Sequence, residues 1–216
     1  MSLNKTPTPK PKVTHKFMKK TGYYTGIVYE WNLPTGHTCP YAVECFVSVD
    51  RETGKFSNNS TAYRCYASSS ERFPSARLSR WRNFDYIKGG GIPEIPKKAE
   101  HIRIHGAGDF FSQKYFDMWL QIARDNPTVE FWAFTKSLKF WVNRINDIPE
   151  NLVLTASYGG KDDNLIKEHN LKSALVVDPN SAIAKDGSFP IDTNDDYARI
   201  KDVKFILLDN NIKLKP

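Results

Sequence analysis

The chain has 216 residues and a formal net charge of +7, and 40% of its residues are hydrophobic. This length lies near the upper end of what one hydrophobic core serves, so we expect a single folded domain. No apolar run approaches the roughly 18 residues that a membrane-spanning helix needs, so no membrane partner is expected. The N-terminus is basic but lacks the apolar segment and cleavage site of a secretory signal. We therefore expect a cytoplasmic location, which for a viral protein means the host cytoplasm.

Residues 1–20 are predicted to form a flexible basic arm. They contain six of the lysines and three of the prolines, a composition typical of an extended, solvated tail. The positive charge permits contact with a nucleic acid, a nucleotide or another polyanion, because clustered Lys and Arg release counterions from phosphates. The remaining residues, 21–216, are predicted to form the single domain.

The first part of this domain is expected to carry one strand, a loop region and one helix. The β-branched and aromatic run within Tyr23–Leu33 predicts the strand. Residues 39–65 show few signals of helical period and predict a surface hairpin or loop. The helix is predicted to follow Pro74, with Ser75 as its N-cap. Its apolar face has helical spacing and consists of Leu78, Trp81, Phe84 and Ile87.

Strand-like and helix-like segments alternate through the rest of the chain, which is the pattern of a parallel sheet with crossover helices. The predicted strands are His101–His105, Val129–Phe134, Leu152–Ser157, Ser173–Val177 and Lys204–Leu208. The predicted helices are Gln113–Arg124, Leu138–Ile145 and Asn164–His169. The predicted fold class is α/β, a partial (β/α) barrel of mostly parallel strands with a cysteine-bearing N-terminal segment.

Small and polar residues follow most of the predicted strands. They are GAGDFFS at 106–112, TKS at 135–137, SYGG at 157–160 and DPN at 178–180. Ligands of parallel α/β folds bind at the carboxyl ends of the strands, so these segments predict a site at that edge of the sheet. Ordinary turns between strands and helices would use the same residue types, and this alternative stays open.

Cysteine occurs at three positions, Cys39, Cys45 and Cys65. An odd number excludes a fully paired disulfide framework, so these residues are thiols or metal ligands. Thiolates suit zinc or an iron–sulfur cluster, and three of them without a fourth soft ligand would leave one cluster iron open. The spacing alone leaves three alternatives, namely a structural zinc ion closed by a histidine such as His37, a cluster, or unconnected buried thiols.

Two groups of motifs carry a resemblance to known families. THKFMKKTGYYTGIVYEWNLPTGHTCPYAVECF and RCYASSSERFPSARLSRWRNF resemble a phage protein family of unassigned function, marked by CP-x-A-x-x-C and by CYA before an Arg-rich helix. RIHGAGDFFSQKYFDMWLQIA, VEFWAFTKS and LVLTASYGG are similar to the first half-barrel of radical S-adenosylmethionine proteins, particularly relatives of spore photoproduct lyase. The match covers roughly residues 20–160, and its motifs stand in the order of that family.

The second resemblance implies an iron–sulfur enzyme. Cys39, Cys45 and Cys65 would bind three irons of a [4Fe–4S] cluster, leaving the fourth iron for S-adenosylmethionine. Reductive cleavage, which needs a reductant, would give methionine and a 5′-deoxyadenosyl radical that abstracts hydrogen from an unidentified substrate. The strand-end residues implied in cofactor or substrate contact are Asp109, Ser112, Thr135, Lys136 and Ser157.

The cysteine spacing differs from the compact C-x-x-x-C-x-x-C loop of most radical S-adenosylmethionine proteins, because five and nineteen residues separate the three cysteines. Extending a loop costs only logarithmically in chain entropy, so we expect the segment before Cys65 to loop out and leave the three sulfurs convergent. The short chain also predicts an abbreviated C-terminal part. The alternative function is a non-catalytic zinc- or cluster-stabilised module of phage origin that binds nucleic acid or protein.

Overall fold

The computed structural model describes residues 14–17, 27–58, 63–209 and 211–212. Most of the predicted basic arm lies outside these residues. Within the arm, Thr14–Phe17 forms a strand that pairs with Ile27–Trp31. This part of the predicted arm therefore belongs to the folded sheet.

Strands and helices alternate as predicted. The strands are β1 (Thr14–Phe17), β2 (Ile27–Trp31), β3 (Val47–Val49), β4 (Phe56–Asn58), β5 (His101–Ile104), β6 (Glu130–Thr135), β7 (Leu152–Ser157), β8 (Ser173–Val177) and β9 (Phe205–Leu208). The α-helices are α1 (Pro74–Lys88), α2 (Gln113–Asp125), α3 (Leu138–Val142), α4 (Asn164–Glu168) and α5 (Ala182–Lys185). Two 3₁₀ helices, Tyr66–Arg72 and Tyr197–Arg199, complete the described elements.

The main sheet has seven strands in the order β1-β2-β5-β6-β7-β8-β9. Six strands of this sheet are mutually parallel, namely β2, β5, β6, β7, β8 and β9. Only β1 is antiparallel to its neighbour. Each parallel strand pairs with the next one in this chain order. Because parallel crossovers are right-handed, steps in a single direction place the crossover helices on one face of the sheet. The α/β, mostly parallel prediction is confirmed, and the strand order is that of an open partial barrel.

The outer face of the sheet carries the main hydrophobic core. Alternate strand residues such as Ile102, Ile104 and Phe131 point to this face, as the two-residue period of a strand requires. The helix α2 covers them with residues at helical spacing, namely Phe116, Trp119, Leu120 and Ala123. Burial of these large side chains supplies most of the driving force for this layer.

The concave inner face carries a second, smaller cluster. Its members are Val28, Trp132, Ala174, Ala198 and Phe205. Ala198 comes from the 3₁₀ helix Tyr197–Arg199, in the connection between β8 and β9. The guanidinium of Arg199 stacks 4.3 Å above the ring centroid of Trp132. This connection therefore fills the concave face beside the amino-terminal halves of the strands and leaves the carboxyl edge open.

Helix α1 differs from its prediction. It begins at Pro74, with Phe73 rather than Ser75 as the N-cap residue. Leu78, predicted to lie on the apolar face, is 58% exposed. Arg77, Arg80 and Asn83 are buried in addition to Trp81, because their side chains donate to backbone carbonyls of neighbouring segments. Phe84 and Ile87 pack against the main hydrophobic core, as predicted.

Two other regional predictions concern the hairpin and the C-terminal part. The segment between Cys45 and Cys65 contains the hairpin of β3 and β4, as predicted. The C-terminal part is abbreviated in its helices, since α4 has five residues and α5 four, while the parallel strands continue to β9. Within the described part of the chain, no helix has both the length and the apolar character needed to cross a lipid bilayer.

Candidate functional site

A cavity of about 460 Å³ opens at the carboxyl edge of the sheet. This volume lies in the range of roughly 300–1,000 Å³ that small-molecule sites occupy. All three cysteines line the cavity. So do four of the predicted strand-end residues, Asp109, Thr135, Lys136 and Ser157. The fold thus brings seven of the eight residues predicted from the sequence to one place.

The loop that carries Cys39 and Cys45 is docked on the SYGG turn after β7. The backbone N–H groups of Val43 and Glu44 donate to the carbonyl of Gly159 at 3.1 and 3.0 Å. Gly159 has a φ of +91°, and a Cβ added there would lie 2.5 Å from Oε2 of Glu44. Glycine is required at this position, because both the backbone angle and the close approach exclude a side chain.

Cys65 is tied to the loop before Cys39 by a buried ion pair. Glu71, at the end of the first 3₁₀ helix, accepts from the backbone N–H of Thr35 at 3.0 Å and from Arg80 at 2.6 Å. Arg80 also donates to the carbonyl of Ala67 at 3.3 Å, two residues beyond Cys65. Glu71 is fully buried. This clamp holds the two cysteine-bearing segments together across the inserted hairpin.

A second arginine of α1 holds the base of the hairpin itself. The Arg77 guanidinium donates to the carbonyl oxygens of Arg51 and Glu52 at 2.9 Å each. It also donates to the carbonyl of Glu71 at 2.6 Å. The described part of the segment between Cys45 and Cys65 is therefore held against α1 at the base of the hairpin. The Arg-rich helix uses these two arginines inside the protein, where a nucleic acid cannot reach them.

The three thiols are partly buried and electrostatically coupled. Burial raises the pKa of Cys39 well above its usual range, and the nearby Asp109 and Cys65 raise it further. Burial also raises the pKa of Cys45, against the opposing charge of Lys136. The pKa of Cys65 rises to about 11, mainly through burial and then through Cys45. A cationic metal centre would reverse these shifts, because it stabilises thiolates.

The described residues contain no group of three or more His, Cys, Asp or Glu side chains that could hold a single metal ion. One zinc ion requires its thiolates at about 2.3 Å from a common centre. A four-iron cluster instead binds each cysteine through a different iron. Its three sulfurs are therefore spread more widely than those around one ion.

Asp109 links the carboxyl ends of β5 and β6. Its carboxylate accepts from the Thr135 hydroxyl at 2.6 Å, from the Lys136 backbone N–H at 2.8 Å and from the Phe110 N–H at 2.7 Å. Burial raises the pKa of Asp109 to about 6, although these hydrogen bonds favour the charged form. Asp109 therefore fixes the position of the Lys136 backbone at the end of β6.

Lys136 reaches from the end of β6 to the end of β7. Its ammonium donates to the Ser157 hydroxyl at 2.8 Å and also to the carbonyl of Tyr158. It lies 3.2 Å from the hydroxyl of Tyr63, which hydrogen-bonds Cys45. Lys136 thus stands beside a cysteine thiol with its positive charge inside the cavity wall.

Ser112 has a different place. It is the N-cap residue of α2, where its hydroxyl accepts from the backbone N–H of Tyr115 at 3.3 Å. Among the residues that the structure describes, it does not contribute to the cavity lining. The preference of serine for helix N-caps accounts for its position in GAGDFFS.

The cavity also contains charged residues that the sequence analysis did not select. They are Arg64, Arg103, Asp192, Asp195 and Asp209. Arg103 forms ion pairs with Asp195 at 3.0 Å and Glu30 at 3.6 Å. A charged residue between two isoleucines in HIRI was an available signal, since it marks the strand face opposite the core. Asp192 and Asp195 belong to the irregular connection between β8 and β9 and follow no period. Asp209 directly follows β9, so its place at a strand end was a signal that the sequence analysis could have used.

Comparison with known proteins gives a family without an assigned activity. Over 52 residues, 24% of this chain, the sequence is 50% identical to a Gene 88 protein of Mycobacterium phage L5 and 40% identical to one of Mycobacterium phage D29. These matches span 20% of each relative's length. No solved structure matches the chain. The sequence profile of the family described as Gene product 88 matches residues 2–213, and the chain therefore belongs to the Gene product 88 family.

Proposed function

We propose that this protein is a radical S-adenosylmethionine-type iron–sulfur enzyme. The observation that carries the proposal is the convergence of Cys39, Cys45 and Cys65 on one cavity at the carboxyl edge of an open parallel sheet. The cysteines come from two segments separated by a hairpin, and a dedicated set of buried hydrogen bonds brings those segments together. Three unconnected core thiols would need no such clamp.

The donor set suits a four-iron cluster better than a single zinc ion. Three soft thiols line the cavity, whereas a structural zinc ion usually takes four protein ligands. Three cysteines would hold three irons and leave the fourth accessible from the cavity. The chemistry that such a cluster supplies is one-electron reduction of S-adenosylmethionine by an external reductant, which yields methionine and a 5′-deoxyadenosyl radical.

The remaining residues of the site would position and enclose the reactants. Lys136, held by Ser157 and Tyr158, places a positive charge beside Cys45 and would favour its thiolate form. Asp109 holds the ends of β5 and β6 in register, and its carboxylate retains acceptor capacity for an amino group. The partial enclosure of the cavity would restrict the access of water to a radical.

The test is anaerobic reconstitution with iron and sulfide, followed by measurement of 5′-deoxyadenosine after addition of S-adenosylmethionine and dithionite. We expect a brown protein with about four irons per chain and detectable 5′-deoxyadenosine. Cys39→Ser, Cys45→Ser and Cys65→Ser should each lose both signals. Ser57→Ala, on the exposed face of the hairpin between Cys45 and Cys65, should keep them.

A colourless protein that takes up no iron and sulfide would overturn the proposal. So would stoichiometric zinc, bound with iron present, whose loss follows mutation of the same cysteines. A cluster that forms but never yields 5′-deoxyadenosine would leave an iron–sulfur protein and refute the enzyme assignment.

A further inference from the structure

One exposed surface of the protein lies on the first 3₁₀ helix, Tyr66–Arg72. Three residues complete one turn of a 3₁₀ helix, so Tyr66, Ser69 and Arg72 share one face. The other faces are turned toward the protein and carry the buried residues of this helix, namely Ala67, Ser68 and Glu71. Tyr66 is 58% exposed, and Arg72 is exposed as well. The helix therefore presents a tyrosine and an arginine to solvent in one row.

Two neighbouring residues extend this row at its ends. Arg64, just before the helix, is exposed and lines the cavity together with Tyr66. Phe73, just after the helix, is 57% exposed, and the guanidinium of Arg72 lies 5.8 Å from its ring centroid. We call the row of Arg64, Tyr66, Ser69, Arg72 and Phe73 the 64–73 strip. It runs from the mouth of the cavity to the beginning of α1.

The 64–73 strip carries positive charge that none of its own residues offsets. Residues 63–84 include five arginines and a single acidic residue, Glu71, which is buried and paired with an arginine of α1. Arg64 donates to the uncharged side chain of Asn211 at 2.7 Å, and Arg72 donates to a backbone carbonyl of its own helix at 2.8 Å. Within the described residues neither arginine forms an ion pair, so both charges are available to an anionic partner.

Tyr66 is fixed at its hydroxyl end. The hydroxyl donates to the carbonyl of Gly106 at 2.6 Å and accepts from Arg103 at 3.3 Å. Asp195 and Glu30, whose charges act on Tyr66, are both paired with Arg103. More than half of the tyrosine stays open to solvent despite these contacts. A flat group can therefore stack on this ring at a low cost in side-chain entropy.

We propose that the 64–73 strip binds single-stranded nucleic acid, with phosphates on Arg64 and Arg72 and bases stacked on the rings of Tyr66 and Phe73. Exposed cations beside aromatic rings suit single strands, because the charges follow the backbone and every base offers a flat face. A duplex keeps its bases stacked inside, and an acidic polypeptide would use the arginines but not the rings. Neither kind of contact depends on the sugar, so DNA and RNA strands should bind alike. This binding requires neither the cluster nor the proposed enzyme activity.

The probes are oligo-dT and oligo-U of about twelve nucleotides, a dT·dA duplex of the same length, and poly-glutamate. Each competes with fluorescein-labelled oligo-dT for the full chain, and anisotropy measures the displacement. We expect the single strands to bind at least about ten-fold more tightly than the duplex or poly-glutamate. The DNA and RNA strands should lie within about three-fold of one another.

Aromatic stacking is tested by substitutions that change only a ring. Phe73→Leu keeps an apolar side chain but removes the ring, and it should weaken the binding of oligo-dT at least about five-fold. Tyr66→Phe keeps the ring and should bind within about two-fold of the unchanged chain. Phe189→Leu is the matched control, because Phe189 is also exposed but lies in the β8–β9 connection. It should leave the affinity unchanged.

The charge contacts are tested by the salt dependence of Arg64→Gln/Arg72→Gln. Each phosphate contact with a single strand contributes about 0.7 to the slope of log affinity against log salt, so the slope should fall by about 1.4. Arg72→Gln alone should lower the slope by about 0.7 and serves if the double variant is destabilised. Lys204→Gln removes an exposed positive charge at the amino-terminal end of β9 and should leave the slope unchanged.

Duplex or poly-glutamate binding as tight as that of the single strands, or no measurable binding of oligo-dT, would overturn the proposal. So would equal losses of affinity in Phe73→Leu and Phe189→Leu. Thermal melting of each variant separates lost contacts from lost folding. Failure to take up iron refutes only the proposed enzyme, because the oligonucleotide assay needs no cluster.

Discussion

The two sides of the parallel sheet are built from alternate residues of the same strands and are held together in different ways. The outer face is an apolar layer in which Phe116, Trp119 and Leu120 pack on strand isoleucines and phenylalanines. The concave face carries a smaller apolar cluster around Trp132, and the carboxyl edge is held by hydrogen bonds and buried charges around the cavity. The outer face supplies the larger share of apolar burial, whereas the carboxyl edge presents the polar groups that line the cavity.

The largest effect should come from removing a side chain of the outer face. Phe116 is fully buried there, and Phe116→Ala should lower the free energy of unfolding by about 3–5 kcal/mol, through lost burial and the cavity left behind. Urea denaturation measures this change. Phe189→Ala, at a 38% exposed site, should lower it by less than about 1 kcal/mol. Similar losses at the two sites would contradict the assignment of the outer face as the stabilising layer.

Breaking the clamp over the cysteine segments should have the next largest effect. Arg80→Met leaves the buried Glu71 without its charged partner and should lower stability by about 3 kcal/mol. The Cys65 thiol should then react faster with a maleimide in the folded protein. Arg72→Met, whose side chain is exposed, is the matched control and should change neither quantity appreciably. Unchanged thiol reactivity in Arg80→Met would show that the clamp does not position Cys65.

Substitutions at two glycines distinguish the destabilisation caused by close packing from that caused by backbone strain. Both Gly108 and Gly187 have positive φ, but a Cβ on Gly108 would lie 2.6 Å from the Thr38 hydroxyl and 2.7 Å from Leu33, while Gly187 has open space. Gly187→Ala should therefore lower stability by about 1 kcal/mol, for the left-handed backbone alone. Gly108→Ala should lower it by about 2 kcal/mol or more. Equal losses in thermal denaturation would mean that the cysteine loop does not pack tightly on GAGD.

The concave face should give the smallest effect, and with the opposite sign. Lys172 is buried beneath the cavity and donates to the carbonyls of Tyr197 and Ala198, and burial lowers its pKa to about 7 despite Asp192 and Asp202 nearby. The unfolded chain keeps this proton up to about pH 10.4, so between these pH values unfolding takes up a proton and stability rises with pH.

Lys172→Met should remove that dependence. We expect it to stabilise the protein by about 1 kcal/mol at pH 6, where the buried ammonium is unfavourable, and to lose this advantage as pH rises above 7. Denaturant titrations from pH 6 to pH 9 measure the difference. Lys185→Met, on the short helix α5, controls for loss of charge alone. A loss of stability at pH 6 would show that the hydrogen bonds of Lys172 outweigh its desolvation.

Local patterns in the sequence predicted most of the sheet. The strands His101–His105, Val129–Phe134 and Leu152–Ser157 were located to within one residue, because a two-residue period with β-branched and aromatic residues marks a half-buried strand. Helix α1 was predicted, and three residues of its predicted apolar face are packed as expected, namely Trp81, Phe84 and Ile87. The burial of Arg77 and Arg80 was not predicted, since a helical pattern of apolar residues cannot reveal that these arginines face polar backbone.

The sequence by itself determined the α/β alternation, the carboxyl-edge position of TKS and SYGG, and the set of thiols available as ligands. The tertiary structure decided that Cys39, Cys45 and Cys65 line one cavity, that Ser112 caps a helix, and that Arg103 pairs with Asp195. The physical reason is the separation along the sequence of the residues that interact. Strand and helix periods arise from neighbours along the chain, whereas Glu71–Arg80 and Arg103–Asp195 depend on how separate segments pack, which no local pattern encodes.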